Sequence, residues 1–202
     1  MPQFNLPGAT AILAVTIGLS LLGLYRTPRI IELCLFRPYG FPQPGRVDTI
    51  ITSGFVHADL PHLLFNMFTF WFFAFPLEGR VGTLSFLALY GTGLVLSHAC
   101  TWLKHKDEPH YASLGASGAI SAVLFAYIVY EPATKLMILP IPVPIPAALF
   151  AVGYVAWSWW ASNHERGRIN HDAHLCGAMT GLLFVAVTDP RAFAGLGALL
   201  AR

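Results

Sequence analysis

The chain has 202 residues, of which 55% are hydrophobic and only 11% charged, with a formal net charge of +2. Mean hydropathy is +0.61. Soluble domains carry about 25% charged residues, so a soluble two-domain enzyme and a disordered chain are both excluded, and the near-neutral balance gives no long-range field to draw in nucleic acid. Three cysteines, Cys34, Cys100 and Cys176, include no CxxC pair, so neither a disulfide framework nor a zinc ribbon is expected. This composition is that of a polytopic membrane protein.

The opening MPQFNLPGAT holds no Lys or Arg. The positive start of a signal peptide is therefore missing, and the apolar run that follows is expected to stay in the membrane. Six segments are long and apolar enough to cross a hydrocarbon core, which takes roughly 20 helical residues. The first runs from about Gly8 to Tyr25, followed by a polar stretch, Arg26 to Asp59, with four arginines and a Pro/Gly cluster. The second, about His62 to Leu77, is rich in Phe, and a turn at Glu78-Gly79-Arg80 leads to the third, about Thr83 to Leu103. After KHKDEPHY comes the fourth, about Ser113 to Tyr130. The prolines of PATKLMILPIPVPIP forbid a regular helix, so this segment is expected to lie along the interface. The fifth span, about Ala147 to Ala161, ends in the interfacial aromatics Trp157, Trp159 and Trp160. The loop SNHERGRINHD leads to the sixth, about Ala173 to Thr188. Residues 1–202 read as a single domain, an all-α bundle of six transmembrane helices.

With six spans, the second, fourth and sixth all start on one membrane face, so residues in their first turns share a depth, about 1.5 Å per residue below that face. Polar residues collect there. His62 and Asn66, four apart, lie on one face of the second span; Ser117 stands among glycines and alanines in the fourth; His174 opens the sixth, ahead of Gly177 and Gly181. Strongly polar groups at membrane depth are costly and mark sites or paths. Each has a plainer reading: a serine in a Gly/Ala stripe bonds across packed helices, and His62 and Asn66 stand near enough to the start of their span to cap it. His98, late in the third span, has nothing beside it that suggests a role. Together, the set permits acyl transfer. A histidine takes the proton of a serine nucleophile, and the Ser117 N–H, the His62 ring and the Asn66 amide are available donors for the oxyanion. Asp172 is the nearest carboxylate to His174, but two residues is about 200° around a helix. Its side chain points away, leaving a Ser–His dyad rather than a triad.

Gly115-Ala-Ser117-Gly118-Ala119, Ala173-His174-x-x-Gly177-x-x-x-Gly181, and His57 with His62-x-x-x-Asn66-Met67 resemble, in order, spacing and host helix, the rhomboid family of intramembrane serine proteases. The Leu77-Glu78 pair is similar too, and the likeness extends from about Val47 to Asp189. It implies Ser117 as nucleophile, His174 as general base, and His62 and Asn66 as oxyanion donors. Gly115 and Gly118 would allow tight packing around the serine, and Gly177 and Gly181 close approach of the sixth span to the fourth. It further implies cleavage of transmembrane segments of other membrane proteins in the lipid bilayer, without metal or cofactor, in a multi-pass protein of a bacterial inner membrane. By the same resemblance the fifth span is similar in position to a mobile lateral gate, and the stretch before His174 to a cap. Three features depart from the family pattern. The first loop lacks a Trp-Arg pair, Cys176 stands where a first glycine is usual, and Ser121 occupies a position where an aromatic often stacks on the catalytic histidine.

Two other functions compete. A proteolytically inactive relative would bind transmembrane helices, though such proteins usually lose the serine or the histidine, and both are kept here. A metal-dependent protein could draw on His57, His62, His171 and His174, but HExxH is absent. Lys and Arg number 8 in the first, third and fifth loops and 4 on the opposite side, so the positive-inside rule puts the polar set on the cytoplasmic face, against the family's usual orientation, in which both termini are cytoplasmic. The family orientation is expected to prevail. A topology reporter fused after Arg202 should therefore read cytoplasmic, and an external reading would reverse the assignment.

Overall fold

The computed structural model describes residues 6–138, 141–164, 169–195 and 197. The order of elements is α1 (Pro7–Tyr25), α2 (Arg29–Cys34), α3 (Thr49–Thr52), α4 (Leu60–Val81), α5 (Thr83–His105), α6 (Ser117–Tyr130), β1 (Lys135–Ile138), β2 (Ile141–Pro146), α7 (Ala147–His164) and α8 (His171–Thr188). Six of these helices coincide with the six expected apolar segments. Of them, α1, α4 and α5 are long and apolar enough to cross a membrane, and α6 is a shorter apolar helix. The outer faces of α4, α7 and α8 expose large apolar side chains, among them Phe65, Phe72, Trp159 and Val187. Such a surface suits lipid rather than water.

Buried α6 is the centre of the bundle: of its residues, only Ser117, Tyr127 and Tyr130 are not fully buried. Small residues bring its neighbours close. A Cβ on Gly93 of α5 would lie 2.6 Å from the Ala122 Cβ, and one on Gly177 or Gly181 of α8 would collide with the carbonyl oxygen of Gly118 or Ala122. A core of Leu63, Phe70, Phe86, Leu89, Ala119 and Val123 joins α4, α5 and α6, with Ala9 and Ile12 of α1 packed onto it. A smaller cluster, including Phe125, Ile128, Ala147 and Ala178, lies between α6, α7 and α8.

The boundaries differ from expectation where backbone geometry intervenes. The second segment continues helically through Glu78-Gly79-Arg80 to Val81, and the turn falls instead at Gly82, whose φ of +81° suits a residue without a Cβ. The fourth helix begins at Ser117 and not Ser113. Ser113 is held extended by an antiparallel bridge to Phe36, with N···O distances of 3.1 and 2.9 Å, and Gly115 has φ +114°. Within the proline-rich segment β1 and β2 pair as a two-stranded antiparallel sheet, since extended proline is tolerated on an edge. The largest correction concerns the cysteines. Cys100 of α5 and Cys176 of α8 form a disulfide across 76 residues, with Cα atoms 6.3 Å apart. The absence of CxxC said nothing about a pair that only helix packing brings together.

Glu78 ties the first helix to the rest. It is 1% exposed, and its carboxylate accepts from the Gly8 and Ala9 N–H groups (3.0 and 2.6 Å) and from the Thr83 hydroxyl (2.6 Å). These are unpaired donors of the first turn of α1, where the helix dipole also favours an anion. Hydrogen bonds to a charged group contribute about 1.5–3 kcal/mol. Glu78→Ala should therefore lower the unfolding midpoint in detergent by an amount equivalent to at least about 2 kcal/mol, and Glu78→Gln by less. An unchanged midpoint in Glu78→Ala would refute the clamp.

Candidate active site

Each of the four residues singled out from sequence lies at the N-terminal end of its helix. On α4, Asp59 caps the helix by accepting from the His62 N–H at 2.8 Å, which orients the first turn that carries His62. Asn66, buried one turn on, donates from Nδ2 to the His62 carbonyl at 3.0 Å. One amide proton is thus committed to the helix, and the other remains available. Ser117 is the first residue of α6. Its backbone N–H belongs to the turn that has no intrahelical acceptor, so the donor that an oxyanion would need is left unspent by the late helix start. His174 lies in the first turn of α8, behind an Asn170 cap whose Oδ1 accepts from the Ala173 N–H at 3.0 Å.

Close contacts bring these ends together. The backbone of Gly115 lies so near the His62 ring that an added Cβ would stand 2.6 Å from its Cε1. On the other flank, a Cβ on Gly118 would lie 3.3 Å from the carbonyl oxygen of Ala173, the neighbour of His174. Ser117 therefore sits between a residue that touches α4 and one that touches α8. Asp172 does turn away as expected: its carboxylate meets Lys104 Nζ at 2.8 Å and His105 Nε2 at 3.1 Å, at the end of α5. Among the described residues, no group of three His, Cys, Asp or Glu side chains is arranged to hold a metal ion. Of the stretch before His174 likened to a cap, residues 165–168 lie outside the described residues.

Sequence reasoning missed three supports. His98, which nothing in its neighbourhood had marked, bonds the Leu94 carbonyl through Nδ1 at 2.9 Å. A carbonyl only accepts, so Nδ1 carries the proton, and in the neutral ring Nε2 accepts from the Ser53 hydroxyl at 2.8 Å. The Ser53 carbonyl in turn accepts from the Gly115 N–H at 2.9 Å, so His98 fixes the turn that delivers Ser117. Tyr154 of α7 is the second: its ring stacks on His174 with centroids 6.2 Å apart and planes inclined by 25°, and its hydroxyl lies 2.8 Å from Ser121 Oγ. Asn170 is the third, donating from Nδ2 to Thr101 of α5 at 2.9 Å. Only Asn170 was legible in principle, as a residue of capping type before an apolar run.

A model of the Rhomboid domain matches residues 44–191. This chain belongs to the rhomboid family. Rhomboid protein 1, mitochondrial, of Saccharomyces cerevisiae is 29% identical over 174 residues, covering 83% of this chain and 50% of the yeast protein. RHOMBOID-like protein 12, mitochondrial, of Arabidopsis thaliana is 28% identical over 151 residues, covering 67% and 45%. The human presenilin-associated rhomboid-like protein, mitochondrial, is 29% identical over 175 residues, covering 80% and 44%. This rhomboid spans about half the length of the curated relatives it matches. Rhomboids are generally intramembrane serine proteases, and this chain is an integral membrane protein. The names of these relatives place them in mitochondria, which leaves the expected bacterial inner membrane without support.

His57, in the loop ahead of α4, packs beside His62. It is fully buried, hydrogen-bonded through Nδ1 to Ser20 of α1 at 3.1 Å and packed edge-on against His62 at 4.8 Å. Burial, and secondly the charge of His62, push its pKa from 6.5 down to about 3. The folded protein keeps this imidazole neutral, whereas an unfolded chain protonates it near pH 6.5 and so binds the extra proton. This contribution to stability is constant above pH 6.5 and is lost as pH falls from 6.5 towards 3. The unfolding midpoint of the native protein should therefore drop more steeply with acid than that of His57→Asn. Parallel slopes for the two proteins would show that His57 is not the group responsible.

Proposed function

We propose that this rhomboid is an intramembrane serine endopeptidase that cleaves transmembrane segments of other membrane proteins through a Ser117–His174 dyad. In this reading α1, α4, α5, α6, α7 and α8 are six crossings of one unit spanning residues 1–202. The observation that carries it is the seam between α6 and α8, where Gly118 packs against both Ala173 and Gly177. That seam holds the first turns of the two helices side by side.

The chemistry follows from the residues. His174 removes the Ser117 hydroxyl proton as Oγ attacks the substrate carbonyl carbon. The carbonyl π-electrons move to oxygen, and that oxyanion takes hydrogen bonds from the Ser117 N–H, the His62 ring and the free amide proton of Asn66. Collapse breaks the C–N bond, and His174 returns its proton to the leaving amine. A water, deprotonated by His174, then hydrolyses the acyl-enzyme and regenerates Ser117. Proton transfer passes between side chains and water alone, so the cycle calls on no cofactor. Substrate selection reads a helix in lipid, which fits the apolar exterior.

Ser117→Ala and His174→Ala should each reduce cleavage of a single-pass substrate in proteoliposomes by at least about 10³-fold. A fluorophosphonate should label the native protein at Ser117 in a His174-dependent manner. Undiminished cleavage by Ser117→Ala would end the proposal. An unreactive Ser117 in a protein that still binds transmembrane helices would favour the inactive helix-binding relative instead.

A further inference from the structure

We infer that Tyr154 of α7 is the residue that positions His174, in place of an aromatic on α6, so that the orientation of the base depends on α7 being docked. The inference rests on the proposed dyad. Three observations carry it. First, the Tyr154 ring lies over the His174 ring at 6.2 Å with an interplanar angle of 25°, within the range of offset aromatic stacking. Second, its hydroxyl is held. Ser121 Oγ lies 2.9 Å from the Ser117 carbonyl, one turn back on α6, and 2.8 Å from Tyr154 Oη. A serine has one proton and a carbonyl can only accept, so Ser121 donates to Ser117 and Tyr154 donates to Ser121. This chain of two hydrogen bonds runs from the ring that stacks on the base to the backbone of the nucleophile. Third, Phe125 of α6 and Phe150 of α7 pack on the Tyr154 ring at 5.4 and 5.7 Å and restrict its rotamer.

The small residue at position 121 makes the arrangement possible. Ser121 is 3% exposed and receives the tyrosine hydroxyl; a ring there would occupy the same space. Helix α7 itself is thinly seated, with only Ala147, Ser158 and Ala161 fully buried among its described residues. Displacing α7 breaks the Ser121 bond and withdraws the ring from His174 in one movement. Nucleophile, base and α7 are thereby linked.

The test compares Tyr154→Phe, Tyr154→Ala and the double variant Ser121→Tyr/Tyr154→Ala in proteoliposomes. For each, kcat and KM of a single-pass substrate are measured together with fluorophosphonate labelling of Ser117. Tyr154→Phe keeps the ring and should stay within about fivefold of the native kcat. Tyr154→Ala should lose up to about 10²-fold in kcat, as expected for a misplaced base, with KM little changed. The double variant, which returns a ring from α6, should recover most of that loss. A structural role for Tyr154 would instead lower the unfolding midpoint and raise KM, with kcat and labelling retained, and that result overturns the inference while leaving the dyad standing. Failure of the double variant to recover kcat, although folded, also counts against it. If native Ser117 is labelled independently of His174, the dyad reading fails and the inference falls with it.

Discussion

Helix α8 meets helix α6 backbone against backbone. Gly177 and Gly181 of α8 face the carbonyl oxygens of Gly118 and Ala122 of α6, with no room for a Cβ at either glycine. The two contacts ascend both helices together, so α6 and α8 run parallel and begin at the same end. His174 stands just under one turn ahead of Gly177, beside the start of α6, where Ser117 is the first helical residue. A single methyl on this seam would force the helices apart and open the gap between the two residues proposed to react. Between helices that lipid surrounds, association depends on close packing rather than on expulsion of water, which makes the glycines a condition of the site.

A second constraint is the lack of water around a lipid-exposed bundle. Buried polar groups must find partners inside the protein, and here many of the pairings join different helices or a helix to a loop. Glu78 closes the start of α1, Ser20 of α1 holds His57, Ser53 holds His98, and Asn170 reaches Thr101. Most of these pairs converge on the end of the bundle where Ser117, His62 and His174 lie. The polar inventory therefore divides: some groups brace the loops that carry the candidate site, and others keep donors or lone pairs for the chemistry proposed there.

The Cys100–Cys176 disulfide and the Lys104–Asp172 ion pair add two further ties from α5 to the first turns of α8. One lies on each side of His174 in sequence. Tyr154 approaches the same imidazole from α7. His174 is thus bordered by α5 and α6 through packing and cross-links, and met by α7 through one aromatic ring.

Much of this could be read from sequence, because hydropathy and short motifs report directly on local physics. An apolar run of sufficient length marks a helix for a hydrocarbon layer, and Ser117, His174, His62 and Asn66 stand in motifs specific enough to mark the family later shown by the match over residues 44–191. The helix caps at Asp59 and Asn170 belong to the same class of local signal. Partners distant in sequence and set by three-dimensional register could not be read. Cys176 finds Cys100 across 76 residues; Ser121 and His174 meet a tyrosine on a third helix; His98 acts on Gly115 through an intervening loop. The start of α6 belongs with them, since the extended segment ahead of Ser117 is held by a bridge to Phe36, far back in the first loop. Sequence determined which groups were available and on which helix ends they stood. The packing of small residues, a property of surfaces in contact, decided which groups met.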